Sequence, residues 1–350
     1  MTSHKTTKRV LIIKTTSLGD VIHILPAITE AAKNNPDLVF DWVVEDTFSE
    51  VPNWHLNIEN VYEVSIRQWR KNFYKPAIWK AIKKSIGQIR QHQYDCVIDA
   101  QGLSKSVIIT LFAKGETYGL DKHSAREGWV SRFYKHKIPV PKGTHAITRL
   151  QQLFGKVFHY EPNMNVFDSG IRHKWQLANL EKSQVLFLHG TTWKTKHWPE
   201  DYWNALAGKL SDDGYQVLLP WGSESEKQRA ERVSLDKQNV EVLPKMSLSE
   251  LAKKFSEVSF IISVDTGLSH LAAACDTPII SIYGATSPVL TGSKGNNQIY
   301  LTSDLDCAPC FKRSCKISDD TYPPCLQGIT VLRIMAEVLA LEERLGGKGA

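Results

Sequence analysis

The stretch VLIIKTTSLGDVIH, Val10 to His23, decides the fold. Four apolar, mostly β-branched residues in a row read as a buried strand, and a short polar turn follows. Gly19 and Asp20 then open an apolar run of helical period, GDVIHILPAITEAAKNN (19–35). Strand, turn and helix in this order make the first unit of a parallel βαβ fold. Such a turn often carries G-x-G-x-x-G to seat a dinucleotide, but here one glycine is followed at once by a carboxylate. Two readings of Asp20 are open. It answers the helix dipole, or it is a base that takes a proton from an attacking hydroxyl.

The pattern continues outward. VFDWVVE (39–45), VYEVSI (61–66) and YDCVIDA (94–100) read as strands, and KPAIWKAIKKSIGQIRQHQ (75–93) as a helix. A less regular region spans about 115–180, and the alternation then restarts. SQVLFLHG (183–190), YQVLLPWG (215–222), VEVLP (240–244), FIISVD (260–265) and PIISIYG (278–284) are strands with helices between them. The expectation is an α/β chain of two doubly wound, Rossmann-like parallel-sheet domains facing across a cleft. The domains are expected at 1–170 and 171–328, with a closing helix in 329–350 that packs back towards the first. Ligands of such sheets sit at the carboxyl ends of the strands, and clefts between domains favour them.

Bulk properties agree. A chain of 350 residues is long enough for two cores. Hydrophobic content of 42% and charged content of 23% are globular values. The longest apolar run outside the strands, VIITLFA (107–113), is far short of the ~20 residues of a membrane span. The N-terminal stretch lacks the apolar region of a signal peptide, so a cytoplasmic location is expected. A net charge of +6 does not by itself demand a polyanionic partner.

Candidate ligand-binding turns cluster in the second half. FIISVDTGLSHLAAAC (260–275) places Asp265 at a strand end, and Thr266, Gly267 and Leu268 at a helix start suited to a phosphate. His270 lies one turn further in. LHGTTWKTKHWPEDYW (188–203) repeats the geometry with Thr191, Thr192 and Lys196. In LLPWGSESEKQRAERV (218–233), Glu226 answers a helix dipole or binds ribose hydroxyls. The competing readings are a helix cap at Asp265 or Thr266, and a solvated loop packed by Trp193 and Trp198 at 188–203.

In the first half, IRQWRKNFYK (66–75) interleaves Arg67, Arg70, Lys71 and Lys75 with aromatics. If helical, Ile66, Trp69 and Phe73 share a face. That arrangement suits a membrane surface or an anionic lipid, with nucleic acid as the rival partner, or is a solvated helix. Lys105 and Arg126 add cations further on. The loop CAPCFKRSCKISDDTYPPC spaces Cys307, Cys310, Cys315 and Cys325 as C-x2-C-x4-C-x9-C. It is a structural metal site or a set of reduced thiols.

KTTSLGDVIHILPAI, FDWVVE, IRQWRK, YDCVIDAQGLSKS, AREGW, KHWPEDYW, LPWGSESEKQRA, EVLPKMSL and SVDTGLSHLAAACDTPIISIYGATSP occur in order between about residues 9 and 300. In these motifs the chain resembles the lipopolysaccharide heptosyltransferases of glycosyltransferase family 9, the first inner-core enzyme more than the second. The resemblance implies a GT-B fold and inverting transfer of heptose from ADP-heptose to the inner Kdo of Kdo2-lipid A. It implies a base at Asp20 and donor contacts from Thr191, Thr192, Lys196, Glu226, Met246, Asp265, Thr266, Gly267, Leu268 and His270. Acceptor anions fall to Arg67, Arg70, Lys71, Lys105 and Arg126. It further implies catalysis without a metal or other cofactor, no nucleic-acid partner, hinge closure, and peripheral contact with the cytoplasmic face of the inner membrane. The cysteine loop lies outside the core of the resemblance. The alternatives are another family-9 enzyme such as heptosyltransferase II, or a non-catalytic nucleotide-sugar or anionic-lipid binding protein.

Overall fold

The structure, a computed structural model, describes residues 7–175 and 181–346. The chain divides into two compact units, with the division between Ile171 and Arg172.

The first unit holds β1 (Lys8–Ile13), β2 (Leu38–Glu45), β3 (Ile58–Val64), β4 (Cys96–Asp99), β5 (Thr117–Leu120) and β6 (His136–Ile138). They form one parallel sheet in the order β3-β2-β1-β4-β5-β6. The second holds β7 (Glu181–Leu188), β8 (Gln216–Leu219), β9 (Val240–Val242), β10 (Val258–Val264), β11 (Ile279–Tyr283) and β12 (Gln298–Thr302). Its order is β12-β11-β10-β7-β8-β9, again parallel. Both orders follow one plan. The first strand is central, the next two build to one side, and the last three build to the other. The order therefore reverses between β1 and β4, and again between β7 and β10. In open α/β sheets that reversal leaves a crevice at the carboxyl ends of the two strands.

Three sequence expectations need correction. The helix expected at 19–35 is two helices, Leu18–His23 and Leu25–Asn34. Pro26 has no amide hydrogen for the preceding turn, so the chain restarts there. The region expected to be irregular contains β5, β6 and a helix, Ala146–Phe158, that packs against Leu25–Asn34. The basic stretch is helical only over Ile66–Lys71. Lys75 is extended, as a residue before proline prefers. Ile66 and Trp69 thus pack against the core, while Phe73 is 64% exposed and shares no face with them.

The closing helix is Val331–Arg344, and residues 347–350 of the expected segment lie outside the described ones. Within the second unit, its Ile334, Val338 and Leu341 join the core of β7, β8, β10 and β11. Trp198 fixes the helix's approach: its indole donates to Ile329 O at 2.7 Å. Trp198, Trp203 and Phe187 then meet edge-on or tilted, with centroids 4.9–5.0 Å apart. Such pairs add to the burial of their area.

Candidate functional site

In the second unit the candidate residues follow four adjacent strands. Thr191, Thr192 and Lys196 follow β7, Glu226 follows β8, Met246 follows β9, and Asp265 to His270 follow β10. Their side chains are knitted together. Thr191 Oγ1 donates to the Asp265 carbonyl at 3.0 Å, across the β7/β10 reversal. Lys196 Nζ lies 2.6 Å from Asp265 Oδ2, and Thr286 donates a hydrogen bond to the same oxygen. The Asp265 side chain is 8% exposed and that of Lys196 16%. A buried carboxylate is tolerated when it is paired and hydrogen-bonded in this way.

The helix Gly267–Ala274 starts beside this pair, with Thr266 as its N-cap residue in extended conformation. Gly267 and Leu268 are half-buried in its first turn, and His270 is buried in the second. The first amides of a helix lack partners within it and carry partial positive charge. A cation and a set of amide donors thus meet at one strand end, an arrangement that receives phosphate oxygens.

Glu226 serves its own helix first. It closes a capping box over Glu224–Ser234, with Oε2 accepting from the amides of Gly222 at 2.8 Å and Ser223 at 3.0 Å. Its other oxygen lies against Gly190, where any side chain would collide with it. Glycine at that position lets the β7 and β8 turns approach each other. Met246 is half-buried immediately before the N-cap Ser247 of the next helix.

In the first unit, Asp20 likewise closes a capping box. Its Oδ2 accepts from the Ser17 amide at 2.9 Å. The other oxygen lies 4.0 Å from Lys14 Nζ, and the side chain is 39% exposed. The capping reading and the base reading are therefore compatible, because each uses a different oxygen. Lys14 is buried and donates to Ala100 O at 3.0 Å. Burial lowers its pKa, Asp20 and Asp99 oppose that, and Arg149 and Arg126 add to it. The β1 turn is tied to β4 by Gln101, whose Oε1 accepts from the amides of Thr15 and Thr16 at 3.1 and 3.3 Å.

Lys105 donates to Thr16 Oγ1 from the first turn of Ser104–Phe112. Its pKa is lowered by burial, with Glu45 and Asp20 raising it and Arg67 and Lys14 lowering it further. Arg67, Lys105 and Arg126 thus act on the same small neighbourhood as Lys14 and Asp20. Arg70 and Lys71 lie on the exposed side of Ile66–Lys71.

The four clustered cysteines line one small cavity with Thr195, Gly284 and Ala285. Among the described residues, however, no three His, Cys, Asp or Glu side chains are grouped to hold a metal ion. The metal reading of this loop therefore gains no support. What the loop does is grip the turns after β7 and β11. Thr195 Oγ1 donates to Lys312 O at 2.6 Å, Phe311 N donates to Ala285 O at 2.7 Å, and Arg313 lies 5.3 Å from the centre of the Trp193 ring. Lys196 Nζ is 4.7 Å from the same ring.

Sequence reading missed several neighbours. Thr286 follows β11 in a fifth strand-end turn, and that position was its signal. Arg229 donates to His189 O at 3.1 Å and lies 3.2 Å from His197 Nδ1, contacts that no local pattern announces. Burial, reinforced by Arg229, pushes the His189 imidazole down to about 4 and also lowers His197. Held down at about 4, the His189 imidazole adds no charge to this turn near pH 7.

Comparison with known proteins adds independent support. Residues 82–319 match the model of "Glycosyltransferase family 9 (heptosyltransferase)". The chain is 46% identical to lipopolysaccharide heptosyltransferase 1 of Pseudomonas aeruginosa, over 90% of this chain and 88% of that protein. It is 45% identical to the Escherichia coli K12 protein of the same name, over 83% of this chain and 92% of that one. The solved structure of E. coli heptosyltransferase WaaC with ADP superposes with a TM-score of 0.86 at 39% identity, over 95% of this chain and 99% of that one.

Proposed function

The chain belongs to glycosyltransferase family 9, the heptosyltransferases, and from that premise we propose the reaction its residues carry out. It is a GT-B enzyme of lipopolysaccharide inner-core synthesis that transfers heptose. The donor is ADP-heptose, the nucleotide sugar whose 2-fluoro analogue occupies the WaaC structure. The acceptor is the inner Kdo of Kdo2-lipid A, which the enzyme meets as a peripheral protein on the cytoplasmic face of the inner membrane. The first unit takes the acceptor and the second the donor.

Transfer is a direct displacement with inversion. The Kdo hydroxyl attacks the anomeric carbon, and the bond to the diphosphate breaks as the new one forms. Asp20 accepts the hydroxyl proton on the oxygen not used by the Ser17 amide, while the capping bond fixes the rotamer. One carboxylate suffices because the diphosphate leaves as an anion and needs no proton. Its growing charge falls on Lys196, on the Thr192 and Thr266 hydroxyls, and on the amides at Gly267 and Leu268. Preorganised donors of this kind are the largest single source of rate enhancement in many enzymes. Glu226 takes the ribose hydroxyls and Met246 lies along the adenine. Asp265 takes heptose hydroxyls, with Thr191 and His270 bracing its turn. Arg67, Arg70, Lys71, Lys105 and Arg126 take the acceptor's carboxylates and phosphates, anions that suit the arginine fork.

The observation that carries this reading is the joined set of cation, hydroxyls and helix start at the carboxyl ends of β7 and β10. The test is ADP release from ADP-heptose, with and without Kdo2-lipid A. Release that requires this acceptor supports the assignment. Release only with heptosyl-Kdo2-lipid A would move it to a second heptosyltransferase. ADP-heptose binding without release on either acceptor would reduce the chain to a binding protein.

A further inference from the structure

Three segments of the first unit lie on one face of its sheet. Ile66 and Trp69 of Ile66–Lys71, Ile89 of Pro76–Ile89, and Ile109 of Ser104–Phe112 with the adjoining Ala113 pack on Leu11, Ile13, Val43 and Val97. The turn Gly128–Phe133 joins this layer through Val130 against Val107. The charge of the layer is one-sided. Residues 66–94 contain eight Lys or Arg and no Asp or Glu, and residues 104–115 add Lys105 and Lys114, again without an acid. Ten cations unopposed in these segments exceed the +6 of the whole chain, so the rest of the protein is net negative.

The outer side of the layer is also apolar. Phe73, Tyr74, Trp79, Ile108, Leu111 and Trp129 are each 50–68% exposed. On Pro76–Ile89, Ser85 is turned inward and donates to Glu63 O at 3.2 Å. Trp79 is exposed on that helix among Lys80, Lys83 and Lys84. Exposed large apolar side chains ringed by cations mark an interaction surface.

We propose that this outer layer is the face by which the protein docks on an anionic lipid bilayer. The lysines meet acidic headgroups, aromatic rings sit at headgroup depth, and Ile108 and Leu111 reach the acyl boundary. Cations and bare aliphatics together fit a bilayer better than RNA, which offers Ile108 and Leu111 nothing to bury against. No helix among the described residues is long and apolar enough to cross a membrane, so the contact lies along the surface. The proposal rests on the reading above, in which the acceptor is a membrane lipid, and it names the surface involved.

The test is co-sedimentation of the full chain, without acceptor or donor, with phosphatidylcholine vesicles that contain or lack phosphatidylglycerol. Binding is expected only to the anionic vesicles and should weaken as salt rises. A triple change of Lys80, Lys83 and Lys84 to Gln should weaken it by about tenfold or more. Trp79→Ala and Leu111→Ser should each weaken it by several-fold, with thermal unfolding unchanged. None of these residues touches the proposed site, so ADP release on detergent-dispersed Kdo2-lipid A should persist in all three variants. Equal binding to neutral and anionic vesicles, full binding by the variants, or tighter binding to RNA than to anionic vesicles would overturn the proposal. Turnover in detergent with no vesicle binding would sink the docking surface and leave the transferase standing. Vesicle binding without turnover would do the reverse.

Discussion

Each sheet places a lysine and a carboxylate beside its reversal point, but the two units arrange the pair in opposite senses. In the first, Lys14 is inside, with 8% of its side chain exposed, and Asp20 is outside at 39%. In the second, Asp265 is inside at 8% and Lys196 lies further out at 16%. The group that faces outward sets what each turn offers a ligand. An outward carboxylate accepts a proton from a hydroxyl. An outward ammonium backed by a helix start receives an anion. One strand order, used twice, thus presents opposite charges at its two reversal points.

The comparison breaks most directly at Asp20. Asn in its place still offers an oxygen to the Ser17 amide but cannot take a proton. Asp20→Asn should therefore unfold at nearly the wild-type temperature, while kcat for ADP release falls by about 10²–10⁴-fold, the span of a lost general base. A variant retaining more than about a tenth of the activity would leave Asp20 as a helix cap alone.

Lys196→Ala should cost somewhat less in rate, about 10²–10³-fold in kcat, as for one lost donor to a leaving oxyanion. It should also destabilise the second unit, because Asp265 is left buried with only Thr286 to serve it. A cost of up to ~3 kcal/mol is expected from denaturant unfolding. If rate falls with no change in stability, Lys196 serves the ligand and not the carboxylate.

The smallest effect concerns pH. His189 lies beneath the β7 turn, with its pKa down at about 4, below the ~6.5 of an unfolded histidine. Between those values the unfolded chain binds the extra proton. Stability from this group is therefore complete above about pH 6.5 and is lost as pH falls towards 4, by at most ~3 kcal/mol. His189→Gln should flatten the slope of unfolding free energy against pH across that window. An unchanged slope would show that the imidazole is not held neutral there.

Much of this was legible in the sequence because the long strands announce themselves. VLII, FIIS and PIISI are runs that only a buried parallel strand explains, and each is followed by a turn where ligands gather. The missed strands are β5, β6 and β12, short strands in which Gly119, Lys137 and Gln298 dilute the apolar run that betrayed the others. The helix break at Pro26 was readable in principle. Asp20 and Glu226 presented a real ambiguity, since a carboxylate in the first helical turn looks the same whether it caps or reacts. In the structure the cap uses one oxygen of each, while the other lies near Lys14 in Asp20 and against Gly190 in Glu226. The Lys196–Asp265 pair and the grip of the cysteine loop on the β7 turn join residues 69 and 117 positions apart. No local pattern reaches that far.

The placement of Trp193 has a consequence for observing the protein at work. Its indole carries the side chains of Lys196 and Arg313 near one ring, one from the β7 turn and one from the cysteine loop. Indole emission responds to the charges around it. An anion that draws Lys196 towards itself changes that field at Trp193, whose ring lies 4.7 Å from the ammonium. The turn proposed to take the donor is thereby coupled to a fluorophore, and its occupancy can be followed by light without any label.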